Sequence, residues 1–406
     1  KVLEAGRAPE LRHVLGLSEW TSRVALQPTD LPLPSVDPTA AAMLQYTSGT
    51  TGNPKGVLLS QRSMLNNARF AMEVTEVQQG AVCLSPMPMF HTAGCITCTL
   101  GPLWVGGTEV LAPRPRSREL LDLATREKAT VLFHTPAILR NMLDVATAER
   151  LPIPQIDTIM GGAASISPDL VHEAEQAFNG RVLNLYGQTE LASIATVVRP
   201  GQSDFDKINT VGRPLPHLDL AVVDPGSDQT LPIGVTGEIL ARGYQSFLGY
   251  LDDPEATAAT KTIDGWVRTG DLGSMDQMGT LTITGRLKEL IIRGGENIAP
   301  AEIEIALQRH EAVLGAVVVG VKDRRLGEIV AAVMRVADGR EQGLVDELRA
   351  QLATTLARHK IPQQWYITNE LPATSTGKIQ RFKLRAAIAA GELVQLEDSD
   401  HRSSIT

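Results

Sequence analysis

Four small hydroxyls, three glycines and a lysine fall within eleven consecutive residues, Tyr46-Thr-Ser-Gly-Thr-Thr-Gly-Asn-Pro-Lys55-Gly56. A loop of this kind can wrap phosphates. Gly49 and Gly52 let backbone N–H groups converge on an anion, Thr47, Ser48, Thr50 and Thr51 add hydroxyl donors, and Lys55 adds a positive charge. It is not a Walker loop, because no Gly-Lys-Ser/Thr follows four residues after a glycine. A Ser/Thr/Gly run on its own also reads as a solvated turn, so the chemistry has to be sought in what accompanies it.

Several later residues complement a nucleotide. Tyr186 offers an aromatic face on which a base could stack, and Gly161, Gly162 and Ala163 lack bulk that would block it. A core tyrosine beside a tight turn is the competing reading. Thr189 and Glu190 set a hydroxyl beside a carboxylate, which suits a phosphate oxygen and Mg²⁺, a hard cation that prefers oxygen ligands; a surface helix start would look the same. Asp271 could accept from both ribose hydroxyls, with Arg286 donating from the far side, or the two could form a structural pair. Lys378 is a lone late lysine, ordinarily solvated surface, and His91 a lone histidine, more often structural than catalytic. No Ser/His/Asp triad spacing is present.

Alternating strand and helix patterns must position these groups. The runs 41–47, 81–84, 109–111, 130–133, 158–160 and 181–185 read as strands, with helices at 117–128, at 168–178 and from Ser60 onward. This alternation predicts an α/β domain with a largely parallel sheet that binds ligands beyond the carboxyl ends of its strands. Residues 1–40, spaced by Pro28, Pro32, Pro34 and Pro38, read as an irregular connector. From 214 to 283 short strands between Gly, Pro and Asp predict a smaller β-rich subdomain. A second compact unit follows, with strands at 315–321, 329–336 and 364–368 and helices at 300–309 and 344–358. The expected division is a large domain over 1–285 and a small mobile α+β domain over 286–406.

The composition is that of a globular protein: 406 residues, 43% hydrophobic and 21% charged, with a net charge of −8. That charge and the lack of a basic stripe exclude a nucleic-acid footprint. No Asp, Glu, Lys or Arg lies between Glu76 and Glu109. Prolines and glycines break that stretch, which reads as buried core and not as a membrane span. Three cysteines, an odd number, suggest a reducing cytoplasm; Cys95 and Cys98 form a C-x-x-C with no second pair to complete a zinc site, so burial is expected. Lys1 opens the chain in place of Met, and an amino-terminal portion is expected to be absent.

The segment from Tyr46 to Gly56 resembles the signature of the adenylate-forming superfamily, which includes acyl-CoA synthetases, aryl-acid ligases, luciferases and peptide-synthetase adenylation domains. The resemblance continues in the family's order through Gly161-Gly-Ala-Ala-Ser165, Asn184-Leu-Tyr-Gly-Gln-Thr-Glu190, Trp266-Val-Arg-Thr-Gly-Asp271, Gly285 to Asn297, and Ser375-Thr-Gly-Lys378. It implies that residues 47–52 and Lys55 bind phosphates, and that Gly161, Gly162, Ala163, Tyr186, Gly187 and Gln188 hold the nucleotide. It further assigns Thr189 to the α-phosphate, Glu190 to Mg²⁺, Asp271 and Arg286 to the ribose, and Lys378 to the carboxylate and α-phosphate as charge builds. Lys288 takes the hinge position, Gly294 and Gly295 border a path for the pantetheine arm of coenzyme A, and His91 gates the acyl pocket. The implied activity joins a carboxylic acid to AMP from ATP and then transfers the acyl group to coenzyme A. An Asp that would pair with an amino acid is replaced by His91, and Leu185, Ala192 and Ser193 leave room for a chain. A medium or long fatty acid is therefore the first expectation. The alternatives are an aryl acid, delivery to an acyl carrier protein, and a non-catalytic ligand-binding fragment.

Overall fold

The computed structural model describes residues 17–32, 34–47, 54–112, 114, 116–164, 166–373 and 379–396. Residues 1–38 and 39–406 form separate compact units. The first contains helix α1 (Leu17–Ala25), which corrects the expectation of an irregular connector over 1–40. Pro28, Pro32, Pro34 and Pro38 all lie beyond the helix, and a 3.6 Å Glu19–Arg23 pair spans one turn with the acid placed first.

In the second unit β1 (Ala41–Thr47) and β2 (Lys55–Ser60) form an antiparallel hairpin in which Thr47 faces Lys55. Ser60 then caps α2 (Gln61–Val74), its side chain accepting from the Ser63 amide at 3.0 Å. The uncharged stretch folds as β3 (Val82–Ser85), a π-helical segment Ala93–Cys98, and α3 (Thr99–Trp104), leading to β4 (Thr108–Leu111). Leu84, Ile96, Cys83 and Cys98 are buried as expected, but Cys95 is only partly buried and Phe90, Leu103 and Trp104 are exposed, so the expectation of buried core holds for part of this stretch only. Among the described residues no helix is long and apolar enough to cross a membrane.

The alternation continues as α4 (Ser117–Arg126), β5 (Val131–His134), α5 (Pro136–Glu149), β6 (Thr158–Gly162), α6 (Pro168–Phe178), β7 (Arg181–Tyr186), β8 (Thr196–Val197), α7 (Asp204–Asn209) and β9 (Arg213–Pro214). These strands build a seven-stranded sheet in the order β4-β3-β5-β6-β7-β8-β9, parallel from β4 to β7 and antiparallel at the last two. Leu132, Ile159 and Val182 pack against Leu120, Leu139 and Leu170 of α4 to α6. On the opposite face Phe133, Met160 and Leu183 pack with Ala71 and Met72 of α2. Burial on both faces explains why β5 and β6 read as unbroken apolar runs.

Next come β10 (Leu218–Val223), β11 (Gly237–Gly243), β12 (Gly249–Tyr250), α8 (Pro254–Thr260), β13 (Val267–Met275) and β14 (Leu281–Arg286). Four of these strands form the antiparallel sheet β10-β11-β13-β14, the β-rich region anticipated from Gly, Pro and Asp spacing. The remaining strand, β12, adds to the outer edge of β2.

The carboxyl-terminal elements are β15 (Ile291–Arg293), β16 (Glu296–Ile298), α9 (Pro300–Leu307), β17 (Val313–Asp323), β18 (Gly327–Val336), α10 (Leu344–Ala353), β19 (Gln364–Ile367), α11 (Arg381–Ala390) and β20 (Val394–Gln395). Their six strands form one sheet whose faces are covered by α9 and α10 on one side and α11 on the other, through Ile303, Leu348 and Leu384. α10 stops five residues short of the expected 358. Thr354 Oγ1 bonds back to the Gln351 carbonyl at 2.6 Å there, competing with the helical ladder. The protein is thus mixed α/β, with a large amino-terminal domain and a small carboxyl-terminal one.

Candidate active site

The hairpin register fixes both ends of the Ser/Thr/Gly loop. Tyr46 faces Gly56 and Thr47 faces Lys55, while Thr47 Oγ1 donates to the Lys55 carbonyl at 3.5 Å. Ser48, Gly49, Thr50, Thr51 and Gly52 lie outside the described residues, as does Lys378. The Lys55 ammonium stands 4.8 Å from the ring centroid of Tyr250, within cation–π range. From that ring the Tyr250 hydroxyl donates to Glu190 Oε1 at 2.7 Å. Lys55 and Glu190, which are 135 positions apart in the chain, therefore meet at one tyrosine that the sequence did not single out.

Gly161 and Gly162 end β6, beside Asn184 and Leu185 of β7. A Cβ on Gly161 would lie 2.3 Å from the His134 carbonyl oxygen, and one on Gly162 2.2 Å from that of Leu185. Bulk is thus excluded at both by the neighbouring strands, an independent reason for glycine beside any ligand role. Ala163 follows at φ +69°. His134 is 4% exposed, and burial, only partly offset by the Thr135 backbone, pushes it down to about 4.

Tyr186 ends β7 and donates its hydroxyl to Asp271 Oδ2 at 2.7 Å. Asp271 and Arg286 face each other in the β13–β14 register, with Arg286 Nε 2.8 Å from Asp271 Oδ1. Burial, reinforced by the Asp271 charge, holds the Tyr186 phenol well above its ordinary range, so it stays a donor. A row of Tyr186, Asp271 and Arg286 results, with Asp271 only 3% exposed.

Between Tyr186 and Glu190 the chain runs through Gly187, Gln188 and Thr189 into a 3-10 turn, Thr189–Leu191. Two non-glycine residues with positive φ follow, Ala192 at +53° and Ser193 at +101°. Such backbone persists only where the surroundings over-determine it. Here Asn67 of α2, fully buried, donates to the carbonyls of Ile194 at 2.7 Å and Leu191 at 3.3 Å and accepts from the Ile194 amide at 3.2 Å. Gln245, also fully buried, donates to the same Ile194 carbonyl at 3.0 Å. Ser193 Oγ and Thr97 Oγ1 are 2.7 Å apart, tying the loop to the π-helical segment. Both Ala192 and Ser193 are buried.

That π-helical segment begins just after His91, whose Nδ1 accepts from the Ala93 amide at 3.1 Å. Desolvation lowers the His91 pKa, so its neutral ring carries the proton on Nε2 and can donate to an anion. Cys95 Sγ donates to the His91 carbonyl at 3.3 Å, and all three cysteines are unpaired. No cluster of three or more His, Cys, Asp or Glu suited to a metal occurs among the described residues. The donor chemistry at Thr189 and Glu190, a hydroxyl beside a half-buried carboxylate, instead fits Mg²⁺ held by one carboxylate together with substrate phosphates.

Lys288 sits exposed in the 3-10 turn Leu287–Glu289, between β14 and β15. Gly294 and Gly295, at φ +59° and +90°, form the two-residue turn joining β15 to β16. Both central positions of such a hairpin need positive φ, which accounts for paired glycines locally.

Known proteins resemble this chain in sequence and fold. The family described as AMP-binding enzyme matches residues 3–251, and the AMP-binding enzyme C-terminal domain matches residues 302–378. The chain is 37% identical over 382 residues to the putative acyl-CoA synthetase YngI of Bacillus subtilis, covering 92% of this chain and 69% of YngI. It is 36% identical over 348 residues to the mitochondrial medium-chain acyl-CoA ligase ACSF2 of Danio rerio, covering 84% of this chain and 57% of that ligase. Among solved structures, ATP-bound MatB from Rhodopseudomonas palustris superposes with a TM-score of 0.81 at 29% identity, covering 90% of this chain and 72% of MatB.

Proposed function

This chain belongs to the family of AMP-binding enzymes, within the adenylate-forming superfamily, and on that premise we propose that it activates a carboxylic acid with ATP and passes the acyl group to coenzyme A. The observation that carries the reading is the convergence on one short loop of a cation, Lys55, a carboxylate, Glu190, and the Tyr186–Asp271–Arg286 row. These match, in order, a triphosphate, its metal and a nucleoside.

In the first half-reaction a carboxylate oxygen attacks the α-phosphorus and pyrophosphate leaves, forming the acyl adenylate. In the second, a thiolate attacks the acyl carbon and AMP leaves. No side chain needs to become a nucleophile, so the work is alignment and charge neutralisation. Lys55 and the loop hydroxyls take the β- and γ-phosphates, Thr189 the α-phosphate, and Asp271 and Arg286 the ribose. His91 Nε2–H orients the carboxylate, and Lys378 stabilises the charge that builds as it attacks. Mg²⁺, held at Glu190, would neutralise the phosphates. The boundary falls between residues 285 and 286, with Lys288 as the hinge that exchanges Lys378 for the coenzyme A path beside Gly294 and Gly295.

A medium or long fatty acid is the proposed substrate. The small side chains of Ala192 and Ser193, together with the similarity to a medium-chain ligase, support it. Three unpaired cysteines suit a reducing, cytoplasmic setting. The test is ATP–pyrophosphate exchange over a panel of fatty and aryl acids, with thioester formation followed on adding coenzyme A or a carrier protein. Exchange with a fatty acid is expected, falling on the order of 10²-fold or more in Lys378→Ala. ATP binding without exchange on any acid refutes the proposal.

A further inference from the structure

Resting on the reading that ATP binds here, we infer that Tyr250 is a positioning residue that keeps the Lys55 ammonium and the Glu190 carboxylate close but apart, so that one triphosphate with its metal can engage both. Both charges touch this one tyrosine, yet among the described residues Lys55 and Glu190 form no direct salt bridge. Tyr250 stands between them, its ring face toward the ammonium at 4.8 Å and its hydroxyl on Glu190 Oε1 at 2.7 Å. One phenol thus gives each charge a partner that a ligand can outbid or share. A phosphate oxygen is a stronger partner for the ammonium than a ring face, and a carboxylate that accepts one neutral hydrogen bond keeps lone pairs for a cation.

The backbone holds the tyrosine at this place from three sides. Tyr250 lies opposite Val57 on the edge of β2, and the amides of Leu248 and Leu251 reach the carbonyls of Leu58 at 2.9 Å and Gly56 at 2.7 Å. The amide of Phe247 reaches the carbonyl of Glu190 itself at 2.9 Å. Thr257 Oγ1 accepts from the Tyr250 amide at 2.8 Å, and the ring, 9% exposed as a residue, packs edge-on against Phe247 with centroids 4.9 Å apart. Residues 247–251 are therefore stitched both to the strand that carries Lys55 and to the turn that carries Glu190. Among the described residues a cavity of about 320 Å³, whose lining includes Lys55, Gly56, Tyr250 and Asp253, opens beside the ammonium.

The experiment is titration calorimetry of ATP, without any acid, in Mg²⁺ and in EDTA, on the wild type, Tyr250→Phe, Glu190→Gln and the double variant. Tyr250→Phe keeps the ring and removes only the hydroxyl. It is expected to lower the Mg²⁺-dependent tightening of ATP binding about tenfold, the typical worth of one hydrogen bond to a charged group. In the Glu190→Gln background the same substitution is expected to change that tightening less than twofold. Tyr250→Leu, which also removes the ring face, should additionally weaken metal-free ATP several-fold. Wild-type tightening in Tyr250→Phe, or an undiminished effect in the Glu190→Gln background, overturns the inference. Because no acid is present, these outcomes are separate from the exchange assay: a wild type that binds Mg·ATP but activates no acid sinks the proposed activity and leaves this test standing.

Discussion

Asn67 holds the loop that carries Thr189 and Glu190, and Asn67→Ala tests whether that support governs the chemistry. The substitution strips the Ile194 amide of its side-chain acceptor and the Leu191 carbonyl of a donor, both in a fully buried setting, while the Ile194 carbonyl keeps Gln245. Each buried group left unmatched costs about 1–3 kcal/mol, so a loss of about 3 kcal/mol is expected in urea denaturation. The strained backbone at Ala192 and Ser193 is then free to relax, and Glu190 moves with it. A displacement on the order of 1 Å in a positioning element can cost about 10²-fold in rate, so ATP–pyrophosphate exchange should fall by at least tenfold under conditions where the variant remains folded. Asn67→Asp sharpens the case. Its first oxygen still accepts from Ile194, but its second replaces a donor and faces the carbonyl oxygens of Leu191 and Ile194 and Gln245 Oε1, so it should be no more stable than the alanine variant. Stability within about 0.5 kcal/mol of wild type for either variant, or unchanged exchange, refutes the reasoning.

Two further outcomes follow from buried charge. His134 falls from its ordinary 6.5 to about 4, so on acidification the unfolded chain takes up a proton that the folded one refuses. Its stabilisation is whole above pH 6.5 and declines as pH falls toward 4, by up to about 3 kcal/mol; His134→Gln should flatten that slope in urea midpoints measured across pH 7 to 4. Arg381 pairs with Glu289 at 2.9 Å and with both oxygens of Glu304, whose side chain is 13% exposed. Arg381→Met leaves Glu304 buried and uncompensated and should destabilise the carboxyl-terminal sheet by about 3 kcal/mol, read as faster amide exchange in β17 and β18, with partial recovery in Arg381→Met/Glu304→Gln.

The parts of this protein that are legible in its sequence are those whose cause is local. β1 matches its expected span because an apolar run ends at a turn-forming loop, and α6 does because Ser167 and Pro168 mark its start. α5 is equally marked, by Thr135 as cap and Pro136 in the first turn, yet its apolar face blurs into the strand before it and hides it among the expected elements. Tyr186, Thr189, Glu190, Asp271 and Arg286 are legible because their order along the chain is itself a pattern, and the structure brings Tyr186, Asp271 and Arg286 into one row. What joins them is not. Asn67 acts on carbonyls 124 and 127 positions away, and Tyr250 acts on a carboxylate 60 positions away. Neither has a neighbour in sequence that hints at what it does, since Asn67 looks like a polar interruption of a helix and Tyr250 like an ordinary strand aromatic. Residues proposed to contact a ligand are singled out by type and spacing, whereas the residues that hold them emerge only through register. Here that register is the pairing of β12 with β2, and it decides where Lys55 stands relative to Glu190.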